Sequence, residues 1–408
     1  MDALMLPLNW QRVRLGDMGI TISGLVGKTK QDFINGNAKY ITFLNVLNNV
    51  IIDTSILENV KIYPNEKQNS FKKYDLFFNT SSETPKEVGM CAVLLDDIDQ
   101  VFLNSFCFGF RIFDKAVDGL FLSYLINSEI GRKAFENLAQ GSTRYNLSKS
   151  SFNNVCLFLP PLNEQIAIAN ILSDLDHYLY TLDALILKKE SVKKALSFEL
   201  LSQRKRLKGF NQAWQRVRLG DIAEIKRGAS PRPIENPKWF CTNSNVGWVR
   251  ISDISKNSRF LYKTAQKLSK KGIEKSRFIK QNSLIMSMCA TIGKPIITKI
   301  DTCIHDGFVV FENPKIDLNY LYYFLCYIEK EWLESGQQGS QVNLNVDLIK
   351  NKEVFCPKDL NEQIAIANIL SGLDHEIASL KNKKRQFDNI KKALNHDLMS
   401  AKIRVLKK

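Results

Sequence analysis

Short stretches of the sequence carry residue types that could support catalysis. Residues 24–29, Gly-Leu-Val-Gly-Lys-Thr, end like a phosphate-binding loop, but that loop needs four residues between its glycines and here there are two. His177 follows Asp176 and His375 follows Asp374, and a His-Asp pair could act as a general base. Neighbouring residues of a helix point in different directions, however, and the sequence places no nucleophile beside either pair. A polar helix face is the favoured interpretation, and nothing in the sequence predicts an active site.

The basic residues of the second half of the chain indicate a different chemistry, the binding of nucleic acid. Residues 226–233, Lys-Arg-Gly-Ala-Ser-Pro-Arg-Pro, predict a loop with three cations, and Arg250, Lys256 and Arg259 follow it. Arg, Ser and Asn side chains on loops are the groups that contact phosphates and base edges. A solvated basic surface is the alternative.

The net charge of +15 favours an anionic partner, but the charge is unevenly distributed. Residues 1–161 hold 16 basic and 16 acidic side chains, whereas residues 214–359 have a net charge of +8. If the first segment binds nucleic acid, its cations must therefore cluster on one face.

These candidate residues lie in a chain that is internally duplicated. The twelve residues 162–173, Leu-Asn-Glu-Gln-Ile-Ala-Ile-Ala-Asn-Ile-Leu-Ser, return unchanged at 360–371, and Trp-Gln-Arg-Val-Arg-Leu-Gly-Asp opens both halves, at 10–17 and 214–221. The ends of the two halves match and their middles do not. We interpret this contrast as a duplicated scaffold that carries two diverged surfaces.

Each twelve-residue copy begins a predicted long helix. Apolar residues recur at alternating steps of three and four, which is the seam of a coiled coil. A lone helix with a single apolar stripe is marginal in water, so we expect the two copies to pack on each other within one chain. An intermolecular zipper is the alternative. The seam residues are Ile168, Leu172, Leu175, Leu179, Leu182, Ile186, Leu196 and Leu200, then Ile366, Leu370, Leu373, Ile377, Leu380, Phe387, Leu394 and Leu398, and the interrupting lysines are Lys189, Lys193, Lys384 and Lys391.

The predicted domain order is a globular segment (1–161), a long helix (162–209), a second globular segment (210–359) and a second long helix (360–408). Gly209 is the predicted C-cap of the first helix. Strands are predicted at residues 40–46, 75–80 and 106–113, with counterparts at 248–254, 282–287 and 306–311. The fold class is therefore α+β (mixed α/β). The scattered cysteines predict free thiols. The sequence contains no stretch of about 18 apolar residues, so no membrane span is predicted.

The paired helices, the Trp-Gln-Arg-Val-Arg-Leu-Gly-Asp segments, the loop at 228–231 and the Gln-Gly-Ser loops at 140–142 and 338–340 together resemble the specificity subunit of type I restriction-modification systems. The resemblance covers the whole chain. It implies two target recognition domains separated by a long antiparallel two-helix coiled coil with pseudo-twofold symmetry, which acts as a ruler between the two halves of a DNA target.

The resemblance also implies the partners. The chain itself would be non-catalytic and hold no cofactor or metal. It would bind double-stranded DNA, two methyltransferase subunits that use S-adenosylmethionine, and restriction subunits that use ATP and Mg²⁺, in the cytoplasm and not at a membrane. Because the two globular segments differ, the half-sites should differ as well.

Two rival interpretations remain: a coiled-coil scaffold that binds only proteins, and an enzyme that cuts or methylates DNA by itself.

We select the candidate DNA-reading residues by their loop position and their chemistry. The candidate reading residues are Lys28, Lys30, Ser142, Thr143, Arg144 and Tyr145 in the first domain, and Arg227, Ser230, Arg232, Arg250, Lys256, Gln338, Ser340 and Gln341 in the second.

Overall fold

The computed structural model of the chain describes residues 7, 9–138, 140–141, 143–334 and 344–405. The chain divides into two compact units. Unit 1 comprises Met1–Asp183 and Asn382–Lys408, and unit 2 comprises Ala184–Lys381. Each unit therefore contains one globular domain together with parts of both long helices.

The elements of the two halves follow each other in nearly the same order. The first half contains β1 (Gln11–Arg14), α1 (Leu15–Met18), β2 (Gly19–Ser23), β3 (Ala38–Ile41), α2 (Phe43–Asn48), β4 (Glu58–Val60), β5 (Leu76–Asn79), β6 (Ser81–Ser82), β7 (Cys91–Val93), β8 (Val101–Leu103), β9 (Cys107–Ile112), α3 (Gly119–Asn127), α4 (Glu129–Glu136), β10 (Tyr145–Asn146), α5 (Lys149–Asn153), β11 (Cys156–Leu159) and α6 (Leu162–Leu201). The second contains β12 (Gln215–Arg218), α7 (Leu219–Ile222), β13 (Glu224–Arg227), β14 (Gly247–Val249), α8 (Ile251–Ser255), β15 (Phe260–Leu261), β16 (Gln266–Lys267), α9 (Lys270–Glu274), β17 (Arg277–Ile279), β18 (Leu284–Ser287), β19 (Pro295–Thr298), β20 (Thr302–Ile304), β21 (Phe308–Glu312), α10 (Leu318–Tyr327), α11 (Glu329–Glu334), α12 (Val346–Asn351), β22 (Glu353–Cys356) and α13 (Leu360–Met399).

The sheets of the two units share one topology. Unit 1 has an antiparallel sheet in the order β2-β9-β5-β7 and a smaller sheet in the order β4-β3-β8. Unit 2 repeats both orders as β13-β21-β18-β19, extended by β15, and β16-β14-β20, extended by β17. Each small sheet contains one parallel pair, β3–β8 in unit 1 and β14–β20 in unit 2. The predicted mixed α/β fold and its duplication are confirmed.

The first predicted strand of each half is shorter than expected. β3 ends at Ile41 because Thr42 caps the next helix, its hydroxyl accepting a hydrogen bond from the Asn45 backbone N–H. In unit 2, β14 ends at Val249, and the Asp253 carboxylate accepts from the Arg250 backbone N–H to start α8. The predictions of continuous strands over 40–46 and 248–254 were therefore wrong in their second halves.

Each globular domain packs its core against the beginning of a long helix. In unit 1, Phe78 and Phe152 lie 4.7 Å apart between ring centroids and belong to a buried cluster with Ile168 and Leu172 of α6. In unit 2, the equivalent residues of α13, Ile366 and Leu370, belong to the core of the second domain. The repeated twelve-residue segment is thus a docking surface for the domain as well as the start of the spacer.

The long helices run antiparallel within each unit. In unit 1, Lys384 pairs with Asp183 at 2.7 Å, and Lys391 pairs with Asp176 further along. In unit 2, Lys189 pairs with Glu376 at 2.7 Å and Lys193 with Asp374 at 2.5 Å. All predicted seam residues are buried or partly buried, so the intramolecular coiled coil is confirmed. The four lysines that interrupt the seam each form an ion pair with the opposite helix.

The helices end earlier than the sequence predicts. α6 stops at Leu201 and α13 at Met399, not at 209 and 408. Gly209 does have a positive φ of 98°, but it lies eight residues beyond the end of α6 and is not its C-cap. Among the described residues, no helix is both long and apolar enough to cross a bilayer.

Candidate nucleic-acid interface

A glycine after the second strand of each half brings two loops into close contact. The N–H of Leu25 donates to the carbonyl of Leu103 at 2.8 Å, and the N–H of Ala229 donates to that of Ile304 at 3.0 Å. A Cβ atom added to Gly24 would lie 2.3 Å from the Asn104 carbonyl oxygen, and one added to Gly228 would lie 2.0 Å from that of His305. Only glycine allows this approach, so the same loop pair forms in both units.

In the turn opposite each glycine, a side chain accepts a hydrogen bond from the backbone N–H two residues later, but the side chain differs between the two units. In unit 1 the N–H of Phe106 donates to Asn104 Oδ1 at 2.8 Å. In unit 2 the N–H of Gly307 donates to His305 Nδ1 at 2.9 Å. The backbone scaffold is therefore shared, while the residues that it presents are not.

Asp306 is the centre of the polar contacts at this turn in unit 2. Ser230 Oγ donates to Oδ1 at 2.9 Å, and Arg232 Nη2 donates to Oδ2 at 3.2 Å. Arg227 Nε donates to the Asp306 backbone carbonyl at 2.7 Å. Burial by itself would raise the pKa of the Asp306 carboxyl, but the hydrogen bond from Ser230 and the charge of Arg232 hold it below its ordinary value. Three of the predicted reading residues therefore contact Asp306, two at its carboxylate and one at its backbone carbonyl, and the sequence interpretation had not selected this residue.

An open cavity of about 440 Å³ lies beside Asp306. It brings a fourth predicted residue, Arg250, into the same surface. The Arg232 side chain is 75% exposed, so its guanidinium is held on one side and open to solvent on the other. The cavity is lined by Ser230, Arg232, Ile234, Trp248, Arg250, Ile251, Ser252, His305 and Asp306.

His305 lines the same cavity, and its burial there favours the neutral form of the imidazole. Burial lowers the pKa of its imidazole below the ordinary value of 6.5, and the charge of Arg250 adds to the shift while Asp306 opposes it. Because Nδ1 accepts from the Gly307 N–H, the ring proton is placed on Nε2. The ring centroid of Phe308 lies 4.5 Å away and that of Trp248 lies 5.9 Å away, so the ring is held from two sides.

The remaining candidates of the second domain are less informative. Lys256 is exposed at the end of α8 and does not line the cavity. Gln338, Ser340 and Gln341 lie outside the described residues.

The first domain presents a different set of side chains on the same scaffold. Thr143 and Arg144 are exposed, and Tyr145 is half-buried in β10, opposite Ser82. The Arg144 guanidinium lies 5.7 Å from the ring centroid of Phe106, which is 54% exposed on the turn. The predicted loop at 143–145 therefore does reach the turn. Ser142 lies outside the described residues.

Lys28 is less available to DNA than the sequence predicts. It occupies the position four residues after Gly24 that Arg232 occupies after Gly228, but its side chain is only 5% exposed. Its ammonium donates to Glu66 and to the Lys61 carbonyl, both at 2.5 Å, so its charge is used inside the domain. Lys30 is exposed, and no ion pair involves it within the part of the chain that the structure describes.

The sequence interpretation did not select Lys149, whose ammonium donates to Ser23 Oγ at 2.7 Å, next to Gly24. Ser23 precedes Gly24 as Arg227 precedes Gly228. Aligning the two halves on these glycines would have pointed to the turn residues Asn104 and His305, since each follows its matched strand directly.

The His-Asp pairs of the helices do not form a catalytic arrangement. Asp176 accepts from the Tyr124 hydroxyl at 2.7 Å and pairs with Lys391, while Asp374 accepts from the Tyr323 hydroxyl at 2.6 Å. These carboxylates therefore fasten each domain and the opposite helix. In the described residues, no group of three or more His, Cys, Asp or Glu side chains could hold a metal ion.

Known proteins resemble this chain along its whole length. A family model for the type I restriction modification DNA specificity domain matches residues 7–189 and 211–387. The MjaVIII specificity subunit of a type I restriction enzyme from Methanocaldococcus jannaschii is 25% identical over 432 residues, covering 99% of this chain and 95% of that protein. The crystal structure of a type I restriction-modification S subunit from M. genitalium matches at a TM-score of 0.62 with 17% identity, over 97% of both chains. An HsdS subunit from Thermoanaerobacter tengcongensis matches at 0.51 with 18% identity, over 98% of both chains, so both share the fold.

Proposed function

The chain belongs to the type I restriction modification DNA specificity family, and we propose that it reads a split, asymmetric DNA target for a type I complex. It is the specificity subunit of that complex and contributes recognition, not catalysis. Each globular domain reads one half of the target. Two methyltransferase subunits dock on the helical spacer, one near each copy of the repeated segment, and the restriction subunits join them.

The strongest support for an asymmetric target is the difference between the two equivalent turns. The turn that faces Gly24 and the turn that faces Gly228 have the same backbone hydrogen bonds, but one presents Asn104, Ser105 and Phe106 and the other His305, Asp306 and Gly307. Side chains that differ at equivalent places on a shared scaffold would contact different base edges.

The helical pairing supports a fixed distance between the half-sites. Two linked readers gain effective concentration for the second half-site only when its spacing fits. Cross-helix ion pairs in both units resist sliding of one helix along the other, and they are supplied by Lys189, Lys193, Lys384 and Lys391. The partner subunits would use S-adenosylmethionine, ATP and Mg²⁺, with the complex acting on DNA in the cytoplasm.

Methylome sequencing of a strain with and without this gene tests the proposal. We expect one motif with two unlike halves and a constant gap, methylated on adenine, which disappears with the gene. A palindromic or uninterrupted motif would overturn the assignment of one domain to each half-site. An unchanged methylome with the complex still assembled would favour the protein-binding scaffold.

A further inference from the structure

We propose that Arg232 reads a guanine in the half-site of the second domain, and that Asp306 is the residue that positions it. This inference rests on the proposed function. Arginine is the side chain that most often recognises guanine, because its fork can donate to O6 and N7 together in the major groove.

The geometry at Asp306 restrains the arginine before DNA arrives. Nη2 of Arg232 donates to Oδ2 and Ser230 donates to the other carboxylate oxygen. Nη2 carries two N–H groups, so its second one remains, beside that of Nη1 or Nε, as a fork for a base edge. The carboxylate cannot turn away easily, since Arg227 holds the Asp306 carbonyl and the His305–Gly307 hydrogen bond closes the same turn. A side chain that is already oriented loses less conformational freedom on binding.

The negative charge of Asp306 indicates that it orients Arg232 and does not serve to attract phosphates. An acid on a surface that meets phosphates weakens binding unless it has another use. Here it accepts from two side chains that were themselves candidates for DNA contact, while Arg250 lines the same cavity. A surface built only for phosphate attraction would gain affinity by losing this carboxylate.

The first domain lacks this arrangement at the equivalent place. Ser105 replaces Asp306, and Lys28 replaces Arg232 but is buried against Glu66. The subsite is therefore specific to the second domain, and changing it should alter one half of the target only.

The test is a selection from DNA with both half-sites randomised, carried out on the chain assembled with its methyltransferase subunits. For Arg232→Ala we expect preference for guanine at one position of one half-site to fall roughly tenfold or more, with the other half-site unchanged. Arg232→Lys should keep affinity but lose the preference, because an ammonium cannot bind both guanine acceptors as a fork.

Asp306→Asn separates positioning from electrostatics. If Asp306 positions Arg232, this variant lowers discrimination at the same base while overall affinity stays equal or rises. Lys67→Ala, an exposed lysine of the first domain that does not line the cavity, is the control, and melting temperatures of all variants exclude misfolding.

Equal weakening on every sequence by Arg232→Ala would identify a phosphate contact and overturn the assignment. Unchanged preference at both half-sites would overturn it as well. A wild-type complex that selects no two-part motif would instead refute the proposed function, so the two failures are distinguishable.

Discussion

Arg404 forms a bidentate ion pair with Glu164, in which Nε donates to Oε1 at 2.6 Å and Nη2 donates to Oε2 at 2.7 Å. The Glu164 side chain is 3% exposed, and the two residues lie 240 positions apart in the chain. Unit 2 repeats the contact between Arg206 and Glu362, where the Trp214 indole N–H adds a third hydrogen bond at 3.1 Å. The Glu of the repeated Leu-Asn-Glu-Gln segment is thus the anchor for the residues that follow the opposite helix.

We expect the buried pair of Arg404 and Glu164 to stabilise the folded chain. Arg404→Met leaves Glu164 buried without its cation, and we expect a loss of about 2–3 kcal/mol in the free energy of unfolding, below the range for fully buried pairs because the Arg404 side chain is 29% exposed. Glu164→Met in addition should recover part of that loss, since no uncompensated charge remains. Urea denaturation of the single and double variants measures both values.

Lys133→Met is the control for this experiment. Its pair with Glu129 has side chains 69% and 61% exposed, and such pairs contribute at most about 1 kcal/mol. Equal effects of Arg404→Met and Lys133→Met would contradict a structural role for the buried contact.

We expect the lysines in the helical seam to stabilise the pairing of the two long helices. Lys189→Glu places two acids opposite each other in unit 2, and we expect a lower melting temperature that the double variant Lys189→Glu/Glu376→Lys restores. The coupling free energy should be about 0.5–1 kcal/mol, because both side chains are partly exposed. Scanning calorimetry of the four proteins closes the cycle. Independent, additive effects would show that the pair does not contribute.

We expect Arg250 to contact a phosphate and not a base edge. Arg250 is exposed beside the cavity, and we expect Arg250→Ala to weaken binding of the assembled complex equally on all sequences. The slope of log affinity against log salt should fall by about 0.9, the change for one lost phosphate contact. Titrations at several salt concentrations measure it. A changed base preference with an unchanged slope would mean that Arg250 reads a base.

The stability of the folded chain should depend on pH through His305. Burial keeps its pKa below the unfolded value of 6.5, so the unfolded chain binds this proton first as the pH falls. Stability should therefore decline below about pH 6.5 and level off once the folded protein is protonated too.

His305→Asn is the matched variant, because Asn104 already closes the equivalent turn in unit 1. We expect the wild type to lose more melting temperature than this variant between about pH 7.5 and about pH 5.5. Identical losses would show that His305 does not titrate differently in the folded state.

The scaffold could be predicted from local patterns in the amino-acid sequence. The duplicated segments predict two like halves, and the apolar spacing predicts paired helices that begin at Leu162 and Leu360, as the structure confirms. Both signals are local, since side chains three and four residues apart share a helix face wherever the chain goes. Even so, the short helices after Ile41 and Val249 depended on single capping contacts that periodicity does not report.

Which charged side chains are available to a partner depends on contacts between distant parts of the chain. Lys28 and Arg232 have equivalent positions and similar chemistry in the sequence, yet one is buried against Glu66 and the other is exposed beside Asp306. The repeated Glu164 and Glu362 gave no sign in the sequence that distant arginines would hold them. A charged side chain takes its partner from whichever groups the fold brings within a few ångströms, and that proximity joins residues far apart in the chain, where no local pattern records it.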